Sequence, residues 1–159
     1  MTASPARRTD VLYHIVCAGP PAADAATFVD LARIRGWDVC LLATPNAVPF
    51  LDLVNLAGIT GHPVRSTYKK PADPDVLPPA NALVVAPATF NTVNKIAAGI
   101  ADTLAVSLVC EYLGMDVPIV VAPNVNPALA RHPAYRRSLD QLADWGVTVV
   151  VDPSASPPT

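Results

Sequence analysis

Ala82-Leu83-Val84-Val85-Ala86, followed at once by Pro87-Ala88-Thr89-Phe90-Asn91-Thr92, is the stretch whose reading decides the fold. The five apolar residues read as a buried strand. Val93 to Leu113 reads as mainly helical, because Val93, Ile96, Ala97, Ile100, Leu104 and Leu108 keep helical spacing. A buried strand that runs straight into a helix is half of a parallel βαβ unit. The six residues between them gather hydroxyls, an amide and free backbone N–H groups at one strand-to-helix corner. Ligands of open α/β sheets bind at the carboxyl ends of strands. The N–H groups and dipole of a helix start favour an anionic or acceptor-rich one.

The same pattern continues on both sides. Towards the N-terminus, Val11 to Ala18 reads as a strand that Gly19-Pro20-Pro21 ends. Ala22 to Arg35 reads as a helix with Ala25, Phe28, Val29 and Ala32 on one face, closed by Gly36. Trp37 to Thr44 is the second strand and Ala47 to Ala57 the second helix; Thr60 to Tyr68 has room for one short strand. Lys69 to Pro79 reads as an extended, proline-rich loop, mobile unless a partner holds it. Towards the C-terminus, Val117 to Ala122 is a strand, Pro133 to Trp145 a helix and Val147 to Val151 the last strand. Strands alternating with helices give a parallel sheet covered on both faces. The expected fold is therefore α/β: a three-layer, doubly wound parallel sheet, Rossmann- or flavodoxin-like. Residues 11–151 form a single domain, and residues 1–10 and 152–159 read as disordered ends.

Composition narrows the function classes. The 159 residues fit one domain with a substantial core. Apolar residues reach 52% and charged residues only 15%, which suits surface covered by further copies of the chain or by a ligand. The formal net charge is −2 and no basic run exceeds two residues, which argues against nucleic acid. No uncharged stretch approaches the ~20 apolar residues that span a bilayer, and no signal peptide is read at the N-terminus. Cys17, Cys40 and Cys110 match no metal spacing, and no metal site is expected; buried free thiols in a cytoplasmic protein are the plain reading. Eighteen prolines cluster at loops and ends.

Four loops follow the long strands, and the fold gathers them on one edge. In Cys17-Ala-Gly19-Pro-Pro-Ala-Ala23, Gly19 permits a tight turn and a close phosphate approach, yet it lacks the glycines of a dinucleotide fingerprint and the Lys of a Walker loop. An ordinary βα turn fits it as well. Thr44 and Asn46 offer donors before a helix, and Asn46 also suits an N-cap. Pro87 to Thr92 and Ala122-Pro123-Asn124-Val125-Asn126-Pro127 complete the set. Signals that are weak one by one gain weight by converging.

Pro87-Ala-Thr-Phe-Asn-Thr92 resembles the Pro-Ala-Ser-Ala-Asn-Thr motif of the flavin-containing cysteine decarboxylase superfamily, which includes phosphopantothenoylcysteine decarboxylase and the peptidyl-cysteine decarboxylases of lantibiotic biosynthesis. Asn94-Lys-Ile-Ala-Ala-Gly-Ile-Ala-Asp-Thr-Leu104 is similar to that family's Gly-Lys-Ile-Ala-x-Gly-x-x-Asp-x-Leu run, and Val121-Ala-Pro-Asn-Val-Asn126 to its Val-Ala-Pro-Ala-Met-Asn. Gly19 to Ala23 resembles the first flavin loop. The resemblance spans roughly Val11 to Val151 and implies FMN as cofactor. It places Gly19, Pro20, Thr44 and Asn46 around the phosphate and ribityl chain. It sets Pro87, Ala88, Thr89, Asn91, Thr92 and Ser107 along the flavin, and Asn126 on the carboxylate of a cysteine-containing substrate. It also implies a homotrimer or a multiple of it. The chemistry it implies is oxidation of a cysteine to a thioaldehyde, loss of CO2 and formation of an enethiol, with the flavin accepting the hydride.

Four departures from the family pattern bear on activity. The family's catalytic His position, about fourteen residues before the motif, falls at Asp73, and Pro71 to Pro79 holds only Asp75 besides. A carboxylate approaches the proton affinity of an imidazole only when burial raises its pKa. The substrate motif becomes Pro123-Asn-Val-Asn-Pro-Ala-Leu-Ala130, with Asn126 kept and both Met and the Trp replaced. Pro20 stands where the family has a phosphate-side Ser, and the C-terminal flap with its cysteine is not seen. His62 falls in a generic stretch, His14 suits a core or interface position and His132 a helix entry. Two readings stay open: an FMN-dependent cysteine decarboxylase, or a non-catalytic FMN-binding regulatory or scaffold subunit of the same fold. A flavin prenyltransferase-like protein would need an Arg and Lys cluster for its donor, and none is seen.

Overall fold

The computed structural model describes residues 8–152; the ends read as disordered fall largely on residues 1–7 and 153–159, outside the described span. Five strands, β1 (Val11–Val16), β2 (Asp38–Ala43), β3 (Ala82–Ala88), β4 (Ile119–Pro123) and β5 (Thr148–Val149), form one sheet in the order β2-β1-β3-β4-β5. Every pairing is parallel: Val11 registers with Asp38 on β2, His14 with Val84 on β3, and Val85 with Val121 on β4. The α/β, doubly wound expectation holds.

Alternation along the strands supplies two cores. Leu12 and Val16 face α1 (Ala25–Ile34) and α2 (Leu53–Thr60), packing with Val29, Leu41 and Leu56. Ile15, Leu83, Val85 and Val121 face the other layer: α3 (Phe90–Ala98), α4 (Leu104–Gly114) and α6 (Pro133–Asp144), where Ile96, Val109 and Leu142 are fully buried. Burying each such side chain contributes about 1.5–3 kcal/mol. A single turn, α5 (Pro127–Ala130), separates β4 from α6.

Several boundaries differ from the sequence expectation. The single helix over Val93 to Leu113 is two: Gly99 takes the left-handed conformation, φ 69°, and ends α3, and the Thr103 side chain caps α4 by accepting from Val106 N. Ile100, counted on the apolar face, is 48% exposed. The helix over Ala47 to Ala57 is a 3-10 turn, Pro45–Phe50, and then α2, whose N-cap is Asp52 accepting from Asn55 N at 3.1 Å. A 3-10 turn, Pro20–Asp24, likewise precedes α1. The short strand at Thr60 to Tyr68 reduces to one bridge, Arg65 with Leu42. The loop from Lys69 to Pro79 has no regular structure but is tied at both ends. Tyr68 Oη donates to Thr103 O at 3.2 Å, Tyr13 Oη to Pro78 O at 2.6 Å, and Ala80 N to Tyr112 Oη at 3.0 Å.

Candidate functional site

The strand order reverses between β1 and β3. The connection after β1 leads to α1 on one face, and that after β3 leads to α3 on the other, so the chain parts and leaves a crevice at the carboxyl ends. Two backbone contacts fix its floor: Cys17 N donates to Pro87 O at 3.1 Å and Thr44 N to Val16 O at 3.0 Å.

On the α3 and α4 side the crevice holds a cleft of about 300 Å3 lined by Ala18, Thr44, Pro45, Asn46, Thr89, Asn91, Thr92, Lys95, Thr103 and Val106. Thr89 is the N-cap of α3: its Oγ1 accepts from Thr92 N at 3.2 Å and donates to Thr92 Oγ1 at 3.0 Å. Cys17 Sγ donates to the same Thr92 oxygen at 3.4 Å. Burial pushes the Cys17 thiol up, with the Thr92 hydrogen bond partly opposing, so it stays a thiol. Phe90 and Asn91, at the start of α3, have no intrahelical acceptor for their N–H groups. Lys95 is held by Asp102 at 2.7 and 3.0 Å, and that hydrogen bond keeps the Asp102 carboxyl below its usual range.

The cleft therefore presents hydroxyls, amides, two helix N-termini and one ammonium group, beside three apolar wall residues, Ala18, Pro45 and Val106. That donor set fits a phosphate with a polyhydroxyl chain. Gly19 stands at its rim with φ 150° and ψ 164°, a conformation nearly restricted to glycine, and a Cβ there would meet only Pro21 Cδ, at 3.8 Å.

Five of the sequence-derived cofactor residues, Thr44, Asn46, Thr89, Asn91 and Thr92, thus meet in one cleft. Asn46 caps no helix, since Asp52 does so for α2. Gly19 and Pro20 lie at the rim, between Ala18 in this cleft and Pro21 in another. Pro87 lines that other cleft, on the α1 side. Ala88 is fully buried in the core and lines neither; Ser107, one residue beyond Val106 on α4, also lines neither. Lys95 and Thr103 were not singled out from sequence. The signals for them were Lys95 four residues after Asn91, on the same helix face, and Asp102-Thr103 as a helix start after the Gly99 stop.

The two residues read as catalytic lie apart from this cleft. Asp73 is exposed in a turn where its Oδ2 accepts from Lys70 N at 3.1 Å. Its neighbour Asp75 pairs with Lys69 at 2.8 Å, which holds that carboxyl below its usual range. Asn126 is the exposed N-cap of α5, its Oδ1 accepting from Leu129 N at 2.9 Å, which leaves its amide N–H2 free to donate. His132 takes the helix-entry role, accepting from Ala134 N at 3.0 Å, and His62 pairs with Asp38 at 2.8 Å. Among the described residues no cluster of His, Cys, Asp or Glu could hold a metal, and no helix is long and apolar enough to cross a membrane.

The family model described as Flavoprotein matches residues 25–157. The coenzyme A biosynthesis bifunctional protein CoaBC of Escherichia coli is 30% identical over 140 residues, covering 84% of this chain and 34% of that protein. The chain thus spans about a third of the length of the bifunctional relatives it matches. The solved structure of the FMN-dependent cysteine decarboxylase SpaF has a TM-score of 0.77 at 26% identity over 94% of this chain and 87% of that one. A PPC decarboxylase variant complexed with pantothenoylaminoethenethiol has a TM-score of 0.71 at 26% identity, over 90% and 82% of the two chains.

Proposed function

Since the chain belongs to the Flavoprotein family, we propose that it binds FMN in the cleft between Thr44, Asn46 and the starts of α3 and α4, and acts on a cysteine-containing small molecule or peptide. The observation that carries the first half is the donor set: Thr44, Thr89, Thr92 and Thr103 hydroxyls, Asn46 and Asn91 amides and the Lys95 ammonium converge on about 300 Å3. When bound, FMN supplies the two-electron oxidation that decarboxylation of a cysteine requires. The chain's own part is to hold the phosphate with hydroxyls and helix N–H groups, and to orient a substrate carboxylate with the free Asn126 amide. The Cys17 thiol, fully buried and donating to Thr92, lies behind the cleft and lines neither it nor its neighbour.

The visible spectrum of the purified protein is the first test. A protein that is colourless, and gains no flavin when soaked with FMN, overturns the reading.

A second reading, an FMN-binding subunit without turnover, is favoured by one observation: Asp73 is exposed, tied into a turn and outside the lining of the cleft. Release of CO2 from cysteine-ended peptides and from phosphopantothenoylcysteine separates the two. Slow or absent turnover that Asp73→His raises supports the decarboxylase with a weakened base. Fast wild-type turnover shows that Asp73 is no handicap. Inactivity of both proteins supports the non-catalytic subunit.

A further inference from the structure

A second cleft, of about 260 Å3, opens at the same sheet edge on the α1 side, and it shares no lining residue with the first. Phe28, Pro21, Pro87 and Pro123 give it apolar walls, with Asp24 and Asn124 as its polar rim and His14 at its base. Among the described residues no lysine or arginine lines it. Asp24 is the N-cap of α1, yet its carboxylate accepts no capping hydrogen bond and is exposed.

His14 is the unusual member. It registers with Val84 on β3, but its Nε2 lies 2.8 Å from Ala86 O, two residues nearer the carboxyl edge. The ring therefore leans towards the cleft. A carbonyl oxygen only accepts, so Nε2 carries the proton and Nδ1 of the neutral imidazole is an acceptor. Burial holds the imidazole pKa down to about 4, which keeps it neutral. The residue is 1% exposed, and Nδ1 is the buried side-chain polar atom without a partner among the described residues. Phe28 lies against the ring with centroids 4.1 Å apart and planes tilted by 37°. A buried acceptor left unmade costs about 1–3 kcal/mol, and His14 is a residue that lines this cleft.

We propose that this cleft is a second binding site, for a small aromatic or apolar group bearing an ammonium or N–H donor, which hydrogen-bonds to His14 Nδ1 and is favoured by the Asp24 carboxylate. Its side chains differ from those of the first cleft: an acceptor and an acid on apolar walls, against hydroxyls, amides and a lysine. It selects a cation over an anion. It does not rest on the FMN reading, and the test uses protein without flavin.

The probes are benzylamine and benzoate, rings of similar size and opposite charge, titrated at neutral pH into the full chain labelled with 15N-histidine. Benzylamine should move the His14 Nδ1 resonance saturably, in the direction of an accepted hydrogen bond, and leave His62 and His132 in place. Benzoate should not. His14→Phe should weaken benzylamine about tenfold through the lost charge-assisted bond, and Asp24→Asn about two- to fivefold, as for an exposed charge pair. Asp24 is on the surface, so that variant keeps the test open if His14→Phe fails to fold. No saturable shift at millimolar benzylamine, an equal response to benzoate, or affinity unchanged in either folded variant overturns the proposal. So does an Nδ1 resonance already hydrogen-bonded and unresponsive, which would mean a trapped water.

Discussion

Acid should unfold this protein partly through His14, and the size of the effect follows from its burial. The imidazole is 1% exposed, and burial lowers its pKa from the ordinary 6.5 to about 4, against the raising effect of the Ala86 hydrogen bond. Above pH 6.5 the ring is neutral folded and unfolded, and costs nothing. Between 6.5 and about 4 the unfolded chain takes up a proton that the folded chain refuses. The unfolded state then binds more protons, so stability falls as pH falls, by up to about 1.4 kcal/mol per pH unit and about 3 kcal/mol in all. The perturbation is His14→Gln, which keeps an amide donor for Ala86 O and does not titrate. Denaturant unfolding of both proteins between about pH 7 and about pH 4.5 gives the two stability curves. Other titrating groups, including Asp24 across the cleft and the His62–Asp38 pair, are common to both proteins and cancel in the difference. Wild type should lose about 2–3 kcal/mol more than the variant over that range. Parallel curves, or a His14 imidazole that protonates near its ordinary pKa by NMR, would refute the reasoning.

Gly19→Ala should cost about 1–3 kcal/mol in thermal or denaturant unfolding, because φ 150° is strained for any Cβ although space is open around it; a variant as stable as wild type would show that the loop relaxes freely. Asn91→Asp should weaken FMN in the proposed cofactor cleft tenfold or more, by roughly the worth of a hydrogen bond to a charged group, read by fluorescence titration; unchanged affinity removes Asn91 from that site. A homotrimer or a multiple of it is expected on solution light scattering, given the exposed apolar residues Leu31, Ile34, Ile100 and Met115; a 16.6 kDa monomer across micromolar concentrations refutes it.

The layers were legible because buried parallel strands advertise themselves as β-branched runs bounded by Gly and Pro, as in Val11 to Val16 and Ala82 to Val85. The breaks within helices were not. Ile100 and Leu104 keep helical spacing across Gly99, so apolar periodicity is blind to one residue in the left-handed conformation. Gly99 as a stop and Thr103 as a start carried the opposite message. Pro49 and Asp52 did the same for the region read as one helix from Ala47. Length of periodicity outweighed punctuation in both places, and punctuation was the better guide.

The polar cleft was legible where it rests on strand ends, since any doubly wound sheet brings the residues after β1, β2 and β3 together. Lys95 follows Asn91 by one turn of α3, and Thr103 marks the start of α4, signals that the reading of one unbroken helix hid. Pro87 and Ala88 lie outside that cleft for another reason. The β3–β4 register is irregular between Val85 and Ala88, so Ala88 joins Leu83 and Val85 in the core and Pro87 lines the α1-side cleft instead. Alternation predicts faces only while the ladder is regular. That irregularity, at the corner where the strand order reverses, separates two clefts of opposite character. Into one point the starts of α3 and α4, with Lys95 beside them. At the other, the start of α1 carries Asp24, and His14 offers an acceptor with no partner. The two sides of one strand pair thus offer different groups, a property of the topology that composition, with a net charge of only −2, conceals.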